Sequence, residues 1–255
     1  MLEYYLIASY FPVELRSFKK NIIREYLQYK TLEAIYRSKY ANKFIFIGET
    51  CLHIIYGNNR FSEDLDFDTF DLTEEEFKSV RDNIFKSFKL EGLNVEINHN
   101  EINYYHLKLK FTDILQNFKI TGHREEKLTL KIDSELQNYN YSKKIYLLNK
   151  FDVFINVNVA PDSLLLSRNF KTVLDRVRPL GRDFYDIVFL MSKTEPDMVY
   201  IKNVMGIDTK EELLKIIIEH CKTFDFDKLA KDVHPFLYKL EDSSRVKHFL
   251  DYLKQ

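Results

Sequence analysis

The chain contains 255 residues, of which 45% are hydrophobic and 30% are charged, enough to build one large or two smaller globular domains. Its 38 basic and 39 acidic residues leave a net charge of -1, which excludes binding of nucleic acid through overall positive charge. Only 6 glycines occur, and neither a P-loop nor a glycine-rich dinucleotide fingerprint is present.

The cysteine content and the distribution of apolar residues predict a cytoplasmic protein without a membrane partner. Cys51 and Cys221 lie far apart and outside any paired metal-binding spacing, so we expect neither a disulfide framework nor a zinc ribbon. The N-terminus lacks the basic segment of a signal peptide. No apolar run approaches the ~18 residues that a membrane span requires.

The first 160 residues mix helical and strand patterns. An N-terminal helical period is followed by a short β-rich run, an apolar helix and a strand in which polar and apolar residues alternate. A capping box at Thr73 predicts a helix that ends near Phe88. The predicted strands are 43–47, 64–68, 93–97, 103–111, 127–133 and 152–159. Residues 1–160 are therefore predicted to form an α/β (α+β) domain with a mixed sheet.

After Pro161 the pattern becomes entirely helical. A second capping box begins at Thr209. Five amphipathic segments are predicted, at 163–178, 182–193, 210–222, 227–240 and 244–253. Residues 161–255 are therefore predicted to form a C-terminal helical bundle.

Three carboxylates are the strongest candidates for chemistry. On a strand, Asp64 and Asp66 share one face about 7 Å apart, where they repel each other unless a cation lies between them. Asp133, on the polar face of the predicted strand 127–133, can be a third ligand. Carboxylate oxygens favour Mg²⁺ or Mn²⁺, and three of them on neighbouring strands suit two-metal phosphoryl or nucleotidyl transfer. The alternative is an ordinary solvated strand face.

A basic stretch lies downstream. Residues 168–182 contain five basic residues and one acid, Asp175. Lys171 can neutralise phosphates as a point charge, and Arg182 can pair with Asp186 four residues later. Such charges at the start of a helix are also typical of simple dipole compensation. Three tyrosines are further candidates, for stacking on a base: Tyr104, Tyr105 and Tyr185.

These motifs together resemble a known family. Residues 48–50 (GET) followed by 60–67 (RFSEDLDF) resemble the first motif of the DNA polymerase β-like nucleotidyltransferases, in particular the AbiEii/AbiGii-type toxins. Lys171, Arg176 and residues 182–186 (RDFYD) resemble that family's lysine-bearing helix and RDxxD motif. The resemblance covers about residues 44–191 and implies a nucleotidyltransferase fold. Glu49 departs from the family, which usually has glycine or serine there, and its carboxylate would repel phosphates.

The resemblance also implies roles for individual residues. Asp64 and Asp66 would hold both metal ions, and Asp133 would bind the catalytic metal and help deprotonate the acceptor hydroxyl. The nucleotide would be bound by Gly48, Thr50, Arg60, Ser62, Lys171, Arg182, Asp183 and Asp186.

The implied activity is metal-dependent transfer of a nucleoside monophosphate from an NTP. The implied acceptor is an RNA, especially a tRNA 3′ end, or a protein hydroxyl. The family further implies a toxin of a type IV toxin–antitoxin or abortive-infection system, countered by a separate antitoxin. Two alternatives remain open: a non-catalytic nucleotide-binding interaction protein, and a phosphotransferase with the same fold.

Overall fold

The computed structural model describes residues 1–97, 105–123 and 125–254. The chain forms two compact units. Unit 1 comprises Met1–Cys51 and Ser62–Val159, and unit 2 comprises Leu52–Phe61 and Ala160–Gln255. The short segment 52–61 thus belongs to unit 2, although the chain on both sides of it belongs to unit 1.

Unit 1 is built on a mixed sheet, to which the described residues contribute seven strands. The strands are β1 (Phe44–Ile47), β2 (Leu65–Thr69), β3 (Val95–Ile97), β4 (His106–Phe111), β5 (Leu128–Leu136), β6 (Lys144–Lys150) and β7 (Val153–Val159). Their order is β3-β4-β5-β2-β1-β7-β6. Strand β2 pairs in parallel with β5 and β1 with β7, whereas the other neighbours are antiparallel. The prediction of a mixed sheet is therefore confirmed.

Most strand predictions agree with the structure. Residues 103 and 104 of the predicted strand 103–111 lie outside the described residues, and the remainder of that prediction contains β4. Strand β6 was not predicted. It lies at the edge of the sheet and buries only Leu148, so its sequence carries no clear alternation of apolar and polar residues.

Helices of unit 1 pack on its sheet and on one another. They are α1 (Tyr4–Ser9), α2 (Lys19–Tyr36), α4 (Glu74–Leu90) and α5 (Ile114–Asn117), and α3 (Gly48–Ile54) begins in this unit. Helix α2 contacts β5 and β7, and α4 packs on α2. At the start of α4 the Thr73 side chain accepts a hydrogen bond from the Glu76 backbone while Glu76 binds the Thr73 backbone, which confirms the predicted capping box.

Unit 2 is helical. Its helices are α6 (Asp162–Asp175), α7 (Gly181–Met191), α8 (Met198–Met205), α9 (Lys210–Cys221), α10 (Phe226–Asp232), α11 (Ser244–Lys247) and α12 (Phe249–Tyr252). Helix α8 was not predicted, although Asp197 caps its start and Gly206 ends it in a left-handed conformation. The helix predicted over 227–240 ends at Asp232, because Pro235 cannot continue it and Leu237 is extended.

One side-chain contact and two backbone contacts join the segment 52–61 to the rest of unit 2. The Tyr56 hydroxyl donates to the carbonyl oxygen of Ala160 over 2.6 Å, and the Phe61 amide donates to the carbonyl oxygen of Phe236 over 2.8 Å. Arg60 forms an isolated β-bridge with Leu237. These contacts explain why unit 2 is discontinuous in sequence.

Candidate active site

A glycine turn joins β1 to α3 directly beside an aspartate of β2. Gly48 has φ +75°, a left-handed conformation that glycine adopts without steric cost. A Cβ atom at Gly48 would overlap a carboxylate oxygen of Asp66 and lie 2.9 Å from its Cγ. The close approach of this turn to Asp66 therefore requires glycine for two separate reasons.

Thr50 positions the loop that carries Asp64. Its side chain is fully buried, and its hydroxyl donates a hydrogen bond to the backbone carbonyl oxygen of Asp64. This hydrogen bond holds the backbone at Asp64, the first carboxylate of the aspartate motif. The structure thus gives the residue a positioning role in the loop.

The three candidate carboxylates lie in unit 1 on two adjacent parallel strands. Asp66 of β2 is in register with Asp133 of β5, and Asp64 immediately precedes β2. One Asp64 carboxylate oxygen lies 3.6 Å from the Lys131 ammonium, and Asp133 lies 2.8 Å from Nδ1 of His106. All three carboxylates are thus brought to one part of the sheet, next to two basic side chains that sequence analysis did not select.

Burial and neighbouring acids disfavour the charged form of Asp64. Burial is the largest cause that raises the pKa of this carboxyl above its usual value, and the charges of Asp133, Glu63 and Glu49 raise it further. Only Lys131 acts in the opposite direction. Glu49, the departure from the family motif, thus adds to a negative potential at Asp64. Such a concentration of negative charge favours a bound cation.

The donor set fits a divalent cation in its chemistry, because hard carboxylate oxygens are the ligands that Mg²⁺ and Mn²⁺ prefer. Among the residues that the structure describes, no group of three or more His, Cys, Asp or Glu side chains is arranged to hold a metal ion. Instead, the Asp64 carboxylate contacts Lys131 and the Asp133 carboxylate contacts His106.

Arg60 and Asp186, both expected to bind nucleotide, form a buried ion pair with each other in unit 2. The Arg60 side chain is 0% exposed and donates through Nη2 and Nε over 2.5 and 2.7 Å to the two carboxylate oxygens of Asp186. Asn58 donates to the same carboxylate over 2.7 Å. Arg60 of the RFSEDLDF motif and Asp186 of the RDxxD motif are therefore held together within unit 2. Their distance along the chain gave no indication of this pairing.

The other predicted nucleotide-binding residues also have internal contacts. Lys171 pairs with Asp175 on its own helix, which raises the pKa of the lysine. Asp183 accepts from the Leu180 backbone over 3.1 Å and from Arg176 over 3.0 Å, so it caps α7.

Two further predicted residues lie beside backbone or aromatic groups. Ser62 is buried, and its backbone carbonyl oxygen accepts a hydrogen bond of 3.1 Å from the Gln28 side chain. The Arg182 guanidinium lies 5.7 Å from the centre of the Phe236 ring.

The tyrosines considered for base stacking are placed differently from one another. Tyr104 lies outside the described residues. The Tyr105 hydroxyl donates to the carbonyl oxygen of Leu72 over 2.8 Å, and Tyr185 is fully buried beneath Arg245. Tyr185 therefore serves the core of unit 2.

Comparison with known proteins supplies the family. A sequence model of the nucleotidyl transferase AbiEii toxin family, type IV toxin–antitoxin system, matches residues 30–251, well beyond the motifs that suggested the likeness. The chain belongs to the AbiEii family. It is accordingly a nucleotidyltransferase, as the resemblance predicted.

Two solved structures are similar to this chain in fold. JHP933 from Helicobacter pylori is 17% identical, with a TM-score of 0.54 and 91% of each chain covered. MenT4, a nucleotidyltransferase toxin from Mycobacterium tuberculosis H37Rv, is 16% identical with a TM-score of 0.55, covering 100% of this chain and 90% of its own. Comparison with curated protein sequences gives no significant match. No helix among the described residues has the length and apolarity needed to cross a bilayer.

Proposed function

We propose that this AbiEii nucleotidyltransferase transfers a nucleoside monophosphate from an NTP to a hydroxyl of an RNA, with a tRNA 3′ end as the preferred acceptor. A protein hydroxyl is the second acceptor class. The observation that carries the proposal is the register of Asp66 with Asp133, beside the Gly48 turn. As a toxin of a type IV system, the enzyme would act in the cytoplasm, where NTPs are available, and would be countered by a separate antitoxin.

In the proposed reaction the three carboxylates hold the metal ions, and one of them also accepts a proton. Asp64, Asp66 and Asp133 would hold Mg²⁺ or Mn²⁺, which when bound supplies neutralisation of charge on the phosphates. The acceptor oxygen forms a bond to the α-phosphorus while the bond to the β-phosphate oxygen breaks and pyrophosphate leaves. The Asp133 carboxylate takes the proton of the acceptor hydroxyl. Before metal ions bind, the contacts of Lys131 with Asp64 and of His106 with Asp133 would have to break.

Labelled NTPs test the proposed reaction. The full-length protein is incubated with Mg²⁺, total cellular RNA and protein, and an NTP labelled at the α- or the γ-phosphate. Transfer of the α-label to RNA supports the proposal, and transfer of the γ-label identifies a phosphotransferase instead. Transfer of neither label to RNA or protein would contradict the proposed reaction and favour the non-catalytic nucleotide-binding alternative.

A matched pair of variants links this activity to the site. Asp66→Asn removes one carboxylate charge with little change of shape and should abolish transfer of the α-label. Asp82→Asn removes the same charge from an exposed position of α4, where Asp82 pairs with the adjacent Arg81, and should leave transfer unchanged. Full activity of Asp66→Asn would refute the assignment of the site.

Lys171 stays a candidate for the triphosphate. Lys171→Ala should weaken Mg-NTP binding by about 1.5–3 kcal/mol if the ammonium contacts phosphate. Asp175→Ala is the control, because it releases the same lysine from its partner on α6 and should not weaken binding. Calorimetry that shows equal NTP affinity for Lys171→Ala and the unaltered protein would place Lys171 outside the nucleotide site.

A further inference from the structure

A row of basic side chains follows strand β4 on the polar face of the sheet. His106, Lys108 and Lys110 alternate with three buried apolar residues of the same strand. Because successive side chains of a strand point to opposite faces, these three share the face that lies away from the apolar core. Lys131 of β5, whose side chain is 51% exposed, adds a fourth basic group to this face. These four residues are called the β4–β5 basic row.

The β4–β5 basic row begins at the candidate catalytic carboxylate. His106 is in register with Asp133, and the two side chains are in contact over 2.8 Å. From there the row continues along β4 in steps of about 6.8 Å, the distance between every second residue of a strand. A chain of anionic groups bound along this row would therefore end at Asp133.

The row contains a juxtaposition of like charges. Lys108 and Lys131 are directly opposite each other in the antiparallel pairing of β4 and β5. Like charges at such positions, with Cβ atoms about 4.5–5.5 Å apart, destabilise a sheet. Asp64, 3.6 Å from Lys131, offsets part of this repulsion. A phosphate between the two ammonium groups would relieve it.

The basic stretch 168–182 is the other candidate for binding phosphates. Two of its basic side chains form ion pairs inside unit 2, Lys171 with Asp175 and Arg176 with Asp183. A phosphate would compete with carboxylates at either place, because His106 and Lys131 of the row lie beside Asp133 and Asp64. What separates the two places is their position: residues 168–182 belong to unit 2, whereas the β4–β5 basic row and all three candidate catalytic carboxylates belong to unit 1.

We infer, on the basis of the nucleotidyl transfer to RNA proposed above, that the β4–β5 basic row binds backbone phosphates of the RNA acceptor and directs its 3′ hydroxyl to Asp133. Contacts to phosphate supply affinity independently of sequence and make binding dependent on salt. The row thus provides the local positive surface that an enzyme with a net charge of -1 needs in order to hold a polyanion.

The binding experiment uses the full-length protein carrying Asp66→Asn, without NTP, and a fluorescent single-stranded RNA oligonucleotide. Anisotropy titrations at several salt concentrations give the affinity and the slope of its logarithm against the logarithm of salt concentration. Lys108→Gln with Lys110→Gln should weaken binding roughly tenfold and flatten the slope by about 1.4, since each single-strand phosphate contact contributes about 0.7.

Two further double variants serve as controls. Lys86→Gln with Lys89→Gln removes the same charge from exposed positions of α4 and should leave affinity and slope unchanged. Lys108→Arg with Lys110→Arg keeps the charge and should retain binding, which separates loss of phosphate contacts from loss of fold.

The outcomes separate this inference from the proposed function. A wild-type salt slope in the Lys108→Gln, Lys110→Gln variant overturns the inference. If the protein binds no RNA but transfers the α-label to a protein, the result supports nucleotidyl transfer and contradicts RNA binding by the β4–β5 basic row. If no α-label is transferred to any acceptor while RNA affinity depends on Lys108 and Lys110, the row stands as an RNA site and the proposed reaction fails.

Discussion

Gly48 lies where the backbone conformation and the available space both exclude a side chain. Its φ of +75° disfavours any L-residue, and its Cα approaches the carboxylate of Asp66 too closely for a Cβ atom. Gly92 has the same φ of +75° but no atom within 4 Å of the position of a Cβ. The two glycines therefore allow backbone strain to be separated from crowding of the site.

Gly48→Ala should lower the free energy of unfolding by about 2–4 kcal/mol, from left-handed strain together with overpacking. Because the added methyl group displaces Asp66, transfer of the α-label should also be lost. Gly92→Ala should cost only the strain, about 1–2 kcal/mol, and retain activity. Chemical denaturation and the labelling assay measure both quantities, and equal activity of the two variants would contradict the role given to Gly48.

The carboxyl group of Asp64 should destabilise the folded protein at neutral pH. Burial raises its pKa in the folded state above the value near 3.8 that it has when exposed, so the folded chain binds this proton more tightly than the unfolded chain. Stability then falls as pH rises through the folded-state pKa. Asp64→Asn should therefore raise the free energy of unfolding at pH 7 while abolishing transfer.

This gain should shrink as the pH falls towards 3.8, because Asp64 becomes protonated and neutral in the unaltered protein. Urea denaturation of both proteins at pH 7 and pH 4 measures the difference. Asp64→Asn that is less stable than the unaltered protein at pH 7 would show that the Lys131 ion pair outweighs the cost of burial.

At the scale of secondary-structure elements, the ion pair of Arg60 with Asp186 fixes the segment 52–61 against α7. Both side chains are buried, and the hydrogen bonds are bidentate, which gives the pair a defined geometry. Removing one partner leaves an uncompensated charge in the interior, which is far more costly than loss of a surface pair.

Asp186→Ala should lower the free energy of unfolding by about 3–5 kcal/mol, because Arg60 stays buried without its counter-ion. Asp175→Ala breaks the exposed pair with Lys171 on α6 and should cost no more than about 0.5 kcal/mol. Denaturation with urea compares the two. A small effect of Asp186→Ala would indicate that Arg60 can turn to solvent, as a residue that contacts nucleotide would be able to do.

At the scale of the whole molecule, the segment 52–61 makes unit 2 discontinuous in sequence. A division of the chain near residue 160, which the sequence pattern suggests, separates this segment from its partners Asp186 and Phe236. The fragment 1–159 would then carry a buried arginine and an apolar segment with nothing to cover them.

We expect the fragment 1–159 to be poorly soluble and to lack a cooperative unfolding transition. Co-expression with the fragment 160–255 should restore solubility, because it supplies the missing partners of the segment. Expression trials and thermal denaturation measure both effects. A fragment 1–159 that unfolds cooperatively by itself would show that unit 1 does not depend on where this segment packs.

The sequence by itself predicted the features that depend on near neighbours in the chain. Helical periodicity predicted α2, capping residues predicted the start of α4, and the aspartate motif identified the family. The edge strand β6 and the helix α8 escaped prediction. Strand β6 buries too little of its surface to show an alternation of apolar and polar residues. Helix α8 is rich in branched and apolar residues, whose pattern fits a helix as well as a strand.

Only the tertiary structure decided which distant residues meet. The pairing of β2 with β5 sets Asp66 beside Asp133, and the pairing of β4 with β5 sets His106 beside the same carboxylate. Arg60 meets Asp186, 126 positions away, in the interior of unit 2. Strand register and the burial of charges arise from packing between segments that are remote in sequence, so local patterns can indicate that such residues need partners but not which partners they find.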